Sequence, residues 1–150
     1  MSLPVTTPEM VIIGAEATTK DEIIRTLAER LVAAGRVTDI ETYIAAVHKR
    51  EESMATGIQG GIGIPHARSA AVTAPSVAVA VSHDGVPFGA PDGPAHLIFL
   101  IAAPDGADDS HLQILAAIAR RVMRDEFRDA LRTATDPAFI ADTMTKEVQQ

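Results

Sequence analysis

The sequence predicts a single α/β domain in which helices precede and follow a central block of strands. Residues 76–82 and 96–102 are apolar on both faces, as strands buried inside a sheet are. Capping residues followed by apolar side chains at helical spacing indicate helices on either side of these strands. The chain has 150 residues, which suits one domain over 1–150 with an ordered core at about 5–148.

The N-terminal third predicts one strand and two helices. Residues 10–13 form a short β-branched run. Thr19 and Glu22 have the spacing of a capping box, and Gly35 is placed to end the first helix. Thr38 and Glu41 form a second capping box, whose helix runs to about residue 52. The predicted buried faces of the two helices are Ile23, Ile24, Leu27, Leu31 and Val32, then Ile40, Tyr43, Ile44 and Val47.

Glycine and proline divide the middle of the chain. Residues 54–63 carry four glycines and predict a loop that leads to Pro65 and His66. After the strand at 76–82, Asp84 and Gly85 predict a hairpin-type turn. Residues 87–94 then form a loop before the strand at 96–102.

The C-terminal third predicts three helices. Asp109 or Ser110 caps the first of them, and a shorter helix follows at 125–134. Asp136 and Pro137 start a last helix that runs to about residue 146. The predicted inner face of the first of these helices is Leu112, Leu115, Ile118, Ala119 and Val122.

Composition excludes several function classes. The net charge is −7, no basic stripe is present and aromatic residues make up 3%, so we expect no nucleic-acid partner. No apolar run approaches the roughly 20 residues of a membrane span, and no signal peptide is visible. The sequence has no cysteine, which excludes disulfides and thiolate catalysis and fits a cytoplasmic protein.

Two of the five histidines are candidates for chemistry. Pro65 has a fixed φ and no N–H, so His66 follows a break in ordinary strand pairing, beside glycines that allow another chain to approach. His111 lies in the first turn of a predicted helix, where free N–H groups attract anions and disfavour an imidazolium. The other three, His48, His83 and His96, are interpreted mainly as a solvated helix residue, a turn residue and a structural histidine.

A metal site and a phosphoryl-transfer site both fit His66 and His111. A metal would need His83, His96 and a carboxylate as well, and these spacings match no helical ligand motif. Phosphoryl transfer needs an unprotonated imidazole nitrogen and well-placed donors for the phosphate oxygens. The sequence has no Walker loop and no kinase glycine loop, so we expect a phosphorylated protein as the donor instead of ATP.

Two separate stretches of the sequence carry a family resemblance. The first comprises residues 50–52 (REE), 55–58 (ATGI) and 61–68 (GIGIPHAR). The second comprises residues 92–104 (DGPAHLIFLIAAP) and 109–115 (DSHLQIL). The two stretches resemble the fructose/mannitol-type enzyme IIA domains of the bacterial sugar phosphotransferase system, and the second is similar to the fructose branch in particular. The resemblance extends over essentially the whole chain. Gly63 stands where this family usually has alanine, and Arg68 where lysine is common.

The resemblance implies a fold, a reaction and a set of site residues. The fold would be a mixed, roughly five-stranded sheet with helices on both sides. His66 would accept a phosphoryl group on Nε2 from the phosphocarrier HPr and pass it to a cysteine of enzyme IIB. His111 would donate to the phosphate oxygens and orient the imidazole, and Arg50 would offset the charge. Thr56 is a candidate for a further hydroxyl contact, and no metal or cofactor is implied.

Transport and regulation remain as alternative functions. In transport, the domain would serve uptake of fructose or a related sugar, fused to or bound by a membrane IIC component. A nitrogen-related IIA would signal by its phosphorylation state instead.

Because both partners dock briefly, we expect a shallow, apolar surface that buries about 1,200 Å² or less, with Ile58, Ile62 and Ile64 as candidate rim residues.

Overall fold

One mixed β-sheet, with helices on both of its faces, forms the protein. The computed structural model describes residues 4–105 and 110–148, without the side chains of residues 110–112. The described strands are β1 (Val11–Ile13), β2 (Gly57–Ile58), β3 (Ile62–Gly63), β4 (His66–Ser69), β5 (Ser76–Val86) and β6 (Ala95–Pro104). The described helices are α1 (Lys20–Ala33), α2 (Ile40–Ser53), α3 (Ser110–Arg121), α4 (Asp125–Arg132) and α5 (Pro137–Val148), and a 3-10 turn at Pro8–Met10 precedes β1.

The long antiparallel pair β5–β6 forms the centre of the sheet. Strand β1 lies parallel to β5, while β3 and β4 both lie parallel to β6, and β2 pairs antiparallel with β3. The predicted mixed sheet between helices is confirmed, with six strands among the described residues. The additional short strands, β2 and β3, lie in the glycine-rich segment that was predicted as a loop.

Strands β3 and β4 behave as one strand that is interrupted at a proline. Ile62 is paired with Leu97 and His66 with Ile101, so the register beside β6 is the same before and after the interruption. The Pro65 carbonyl still accepts a hydrogen bond of 3.0 Å from the Ile101 N–H. Proline breaks the ladder here because it has no N–H to donate. His66 therefore begins β4 in a fixed register.

Each face of the sheet has its own hydrophobic core. One core contains Val77, Val79 and Val81 of β5 and Leu97, Phe99 and Ile101 of β6, packed against α3, α4 and α5. The opposite core contains Ala78 and Ala80 of β5 and Ile98, Leu100 and Ala102 of β6, packed against α1 and α2. The alternation of side chains along a strand separates these two sets. Strands that are apolar on both faces need helices to cover each face, so the prediction of helices on both sides of the sheet is confirmed.

The first helix begins and ends as predicted. The Thr19 side chain accepts a 3.2 Å hydrogen bond from the Glu22 N–H, and Gly35 follows the helix with a φ of 77°. Ile23, Ile24, Leu27 and Leu31 are buried, whereas Val32 is 40% exposed, so its assignment to the inner face was wrong.

The cap of the second helix lies one residue later than predicted. Asp39, and not Thr38, accepts the 3.2 Å hydrogen bond from the Thr42 N–H. The Thr38 hydroxyl instead donates to the Ala71 carbonyl. Local spacing assigned this hydroxyl to the helix cap, but in the structure it makes a contact between segments that are distant in the sequence.

Two further predictions differ from the structure. Strand β5 continues through Asp84 and Gly85 to Val86, with an irregularity in its pairing to β6, so the predicted hairpin turn is absent there. In α3, Ile114 and Ala117 are buried while the predicted Ala119 is exposed. The predicted cap Asp109 and the side chain of Leu112 lie outside the described residues.

Candidate active site

His66 is half-buried at the first position of β4, and a backbone carbonyl orients its ring. The imidazole Nδ1 lies 2.8 Å from the carbonyl oxygen of Ile64. A carbonyl oxygen can only accept a hydrogen bond, so Nδ1 carries the proton in the neutral ring. The lone pair available for chemistry is therefore on Nε2.

The packing of β6 supports this part of the chain from behind. Ile101, the partner of His66 in the sheet, accepts a 2.8 Å hydrogen bond from the Tyr43 hydroxyl through its carbonyl. Tyr43 is fully buried in α2, and this burial raises the pKa of its phenol. The hydroxyl thus links α2 to the strand that sets the position of His66.

A cleft of about 600 Å³ opens beside His66 between α2, β4 and α3. Its lining residues are Ala46, Lys49, Arg50, Ser53, His66, Ala67, Arg68 and Leu115. Three of these are cationic side chains, in a chain whose net charge is −7. Cationic groups concentrated in a concave surface favour an anionic group in the cleft.

The cleft contains two of the predicted site residues, and the third is close in the sequence. Arg50, in the last turn of α2, lines the cleft together with His66. His111 occupies the first turn of α3, one helical turn before the cleft residue Leu115. The side chain of His111 lies outside the described residues.

Thr56 is buried and uses its hydroxyl hydrogen elsewhere. Its Oγ1 donates to Oε1 of Glu51 at 2.8 Å, and its backbone N–H donates to Oε2 of the same carboxylate at 2.9 Å. A threonine hydroxyl has a single hydrogen to donate, so this group is not available to donate to a bound anion in this arrangement. Thr56 therefore contacts Glu51 and does not line the cleft.

The predicted apolar rim is mostly in the interior. Ile62 and Ile64 belong to a hydrophobic core, with 0% and 9% of their surface exposed, and Ile58 is half-buried. Ile58 and Ile62 lie on the short strands β2 and β3, and Ile64 follows β3, so their side chains pack into or against the core, which the loop prediction could not anticipate. A large apolar side chain that is exposed in this segment is Met54, just after α2, at 67%.

Glu51 is the residue near the site that reasoning from sequence missed. Its buried carboxylate accepts a 2.9 Å hydrogen bond from the Lys20 ammonium at the start of α1, as well as the two from Thr56. The signal available in the sequence was a carboxylate in the last turn of a helix, where its interaction with the helix dipole is unfavourable and another contact has to compensate. Glu52 carries the same signal and is exposed, so the sequence did not distinguish them.

The remaining histidines lie apart from this cleft. His96 makes a 2.9 Å contact from Nδ1 to the Ser82 carbonyl, in agreement with its predicted structural role, and with His83 it lines a different cleft. His48 Nε2 is 3.3 Å from Asp21 on the surface of α1.

Among the side chains that the structure describes, no three histidine, aspartate or glutamate residues are grouped as metal ligands. In the same described part, no helix has the length and apolar character to cross a bilayer.

The family model described as "Phosphoenolpyruvate-dependent sugar phosphotransferase system, EIIA 2" matches residues 4–147. The fructose-specific EIIA component of Haloferax volcanii is 37% identical over 97% of this chain and 95% of the relative. The fructose-specific EIIABC component of Bacillus subtilis is 38% identical over 89% of this chain, which spans only 21% of that relative.

A solved structure extends the similarity to the fold. The complex of enzyme IIAMtl with phosphorylated enzyme IIBMtl from Escherichia coli contains a chain that superposes with a TM-score of 0.78. The two chains are 25% identical, and the match covers 94% of this chain and 97% of the other.

Proposed function

Because this chain belongs to the EIIA 2 family of the phosphoenolpyruvate-dependent sugar phosphotransferase system, we propose that it relays a phosphoryl group through His66. The observation that carries the proposal is the 2.8 Å contact of His66 Nδ1 with the Ile64 carbonyl, which in the neutral ring puts the free lone pair on Nε2, in a residue that lines a cationic cleft. A phosphoryl acceptor needs this combination of a free lone pair and nearby positive charge.

The proposed reaction consists of two displacements at phosphorus. In the first, the Nε2 lone pair of His66 attacks the phosphorus of phospho-HPr, so that a new N–P bond forms while the N–P bond to the carrier histidine breaks. In the second, a thiolate of enzyme IIB attacks the same phosphorus and the bonding electrons return to Nε2. The Nδ1 proton stays on the ring throughout, where the Ile64 carbonyl stabilises the cationic character that phosphorylation gives the imidazole.

Two further residues are proposed to act on the phosphate oxygens. Arg50 lines the cleft and presents a planar guanidinium that suits a phosphate. We assign His111 the donation of a hydrogen bond to the same oxygens, since it lies one helical turn from the cleft residue Leu115. Thr56 is assigned an indirect role, because its hydroxyl already donates to Glu51.

The relatives support the proposed partners and sugar. The two relatives described above are fructose-specific, which favours transport of fructose or a related sugar over the nitrogen-regulatory alternative. We therefore propose HPr as donor, enzyme IIB as acceptor and a cytoplasmic location. In the Bacillus subtilis relative, IIA, IIB and IIC are components of one protein, which supports close association with a membrane IIC component.

Phosphorylation with enzyme I, HPr and labelled phosphoenolpyruvate tests the nucleophile. We expect acid-labile label on the protein and none on His66→Gln. The matched control is His96→Gln, since the Nδ1 of His96 also contacts a backbone carbonyl but its ring lines another cleft. Label on the His66→Gln protein at the normal level would refute the assignment, whereas His96→Gln should be labelled like the unmodified protein.

The role of His111 has a separate kinetic test. In the same assay, His111→Ala should slow transfer about 100-fold, as expected for loss of one donor to the transition state. HPr should still bind, because the substitution removes no other part of the docking surface. An unchanged rate of transfer would contradict the proposed role.

A further inference from the structure

The carboxylate of Glu51 is a buried charge that the proposed relay does not use. Its side chain is 5% exposed and accepts three hydrogen bonds, from Lys20 Nζ at 2.9 Å, Thr56 N at 2.9 Å and Thr56 Oγ1 at 2.8 Å. Burying a carboxylate is unfavourable unless it is paired and hydrogen-bonded, and here both of its oxygens are engaged. The unfavourable burial of this carboxylate suggests that Glu51 has a role in the structure around it.

The hydrogen bonds continue from Glu51 to the candidate nucleophile. The Thr56 carbonyl accepts a 3.2 Å hydrogen bond from the Ile64 N–H, and the Ile64 carbonyl is 2.8 Å from His66 Nδ1. We call Lys20, Glu51, Thr56, Ile64 and His66 the Glu51 network. Ile64, whose carbonyl orients the imidazole, is thus held through its own N–H by Thr56, the residue that Glu51 binds twice.

The far end of the Glu51 network is fixed by a different helix. Lys20 begins α1, and its ammonium lies 5.3 Å from the centre of the Phe88 ring, a distance suited to a cation–π contact. Phe88 also accepts a 3.0 Å hydrogen bond from the Gly57 N–H through its carbonyl. Together with the hydrogen bond from Ile64 to Thr56, these contacts hold both ends of the glycine-rich segment between Thr56 and Ile64, whose own side chains supply few constraints.

We propose that Glu51 is a positioning residue for His66. Through Thr56 and the Ile64 carbonyl, it holds the imidazole in the form with the proton on Nδ1 and Nε2 free. The kinetic part of this inference rests on the proposed function, since a misplaced imidazole matters only if His66 accepts phosphate. The tautomer of the resting ring does not depend on any reaction.

The tautomer of His66 is measurable by ¹⁵N NMR of protein labelled at histidine, through the shifts of the two ring nitrogens. In the unmodified protein we expect His66 almost entirely with the proton on Nδ1. In Glu51→Gln and Thr56→Val we expect a mixture of the two tautomers, while Thr56→Ser, which keeps the hydroxyl, should restore the original pattern. Glu41→Gln is the matched control, because Glu41 forms an ion pair between the same two helices at the surface.

The same variants are then compared in the phosphorylation assay. For Glu51→Gln and Thr56→Val we expect the maximal rate to fall roughly tenfold while KM for HPr stays within about twofold, since the ring is misplaced and the docking surface is intact. Thr56→Ser should recover most of the rate. If Glu51→Gln does not fold, the comparison of Thr56→Val with Thr56→Ser decides the question.

Each part of the inference has an outcome that overturns it. An unchanged His66 tautomer and an unchanged maximal rate in folded Glu51→Gln, or equal behaviour of Thr56→Val and Thr56→Ser, would make Glu51 a purely structural residue. Label that persists on His66→Gln would instead refute the proposed function. Because the tautomer is read on unphosphorylated protein, that second failure leaves the positioning test intact.

Discussion

Two ion pairs join α1 to α2 with the same closest distance of 2.9 Å, yet their surroundings differ. In Lys20–Glu51 the side chains are 28% and 5% exposed, whereas in Arg25–Glu41 they are 46% and 71% exposed. Arg25 has the better local geometry, because its two terminal nitrogens donate to the two oxygens of Glu41. Contact distance and pair geometry therefore do not identify the pair that supports the site.

The difference lies in what each pair is connected to. The Arg25–Glu41 pair is exposed to solvent and, among the described residues, contacts nothing further in the site. Water and salt compete with such pairs, so they contribute little to stability. Glu51 is hydrogen-bonded to Thr56, which leads towards His66; Glu51 and Thr56 are buried, and Lys20 is only partly exposed. Removing one partner from a shielded pair leaves a charge or a donor without compensation, so the cost of substitution should separate the two pairs.

Alanine at each glutamate should give the largest contrast. We expect Glu51→Ala to lower the free energy of unfolding by about 2–3 kcal/mol, because it strands the Lys20 ammonium and both donors of Thr56. The partial exposure of Lys20 keeps this below the cost of a fully buried pair. Glu41→Ala should leave the urea midpoint nearly unchanged. Equal midpoint shifts for the two variants would contradict the comparison.

Double-mutant cycles should give a smaller but more specific difference. For Lys20→Met with Glu51→Gln we expect a coupling energy of about 1.5 kcal/mol in urea unfolding, the lower end of the range for hydrogen bonds to charged groups, because Lys20 is partly exposed. The cycle of Arg25→Met with Glu41→Gln should show coupling close to the error of the measurement. A larger coupling for Arg25–Glu41 would mean that bidentate geometry outweighs burial.

The pH dependence of the surface pair should be the smallest effect. Hydrogen bonding to Arg25, and secondly its charge, hold the pKa of Glu41 below its ordinary value of 4.5. The stabilisation from this pair is therefore present above pH 4.5 and is lost as the pH falls through the lowered pKa of the folded state. The small midpoint difference between the unmodified protein and Glu41→Gln should shrink from pH 7 to pH 3. A difference that grows over this range would reverse the sign.

Local signals in the sequence predicted the features that depend on neighbouring residues. The Thr19 cap, the Gly35 stop and the two-sided apolar strands were correct because each is determined within a few positions. His66 was a candidate for the same reason, since Pro65 alone disturbs the strand before it. Arg50 was predicted from the family resemblance, and in the structure it lines the same cleft as His66.

Features that depend on distant contacts were not predictable from local spacing. Thr38 lost its role as a cap to Asp39 because its hydroxyl reaches Ala71, which lies across the fold. The Lys20–Glu51 pair joins residues 31 positions apart, and nothing in either neighbourhood indicates the other. The predicted turn at 84–85 failed because Val86 pairs with Ala95 of β6 and keeps the strand in the sheet.

The uninterrupted register of β3 and β4 restricts how this chain can change in length. Side chains alternate between the faces of a sheet, so loss or gain of one residue between Ile62 and His66 would turn the imidazole to the opposite face. A second segment, the connection between β5 and β6, holds Phe88 in the interior, but its residues 91–94 are mostly exposed and lie between the strands, without such a requirement. Insertions and deletions should therefore accumulate in the second segment during evolutionary divergence, while the first keeps a fixed number of residues.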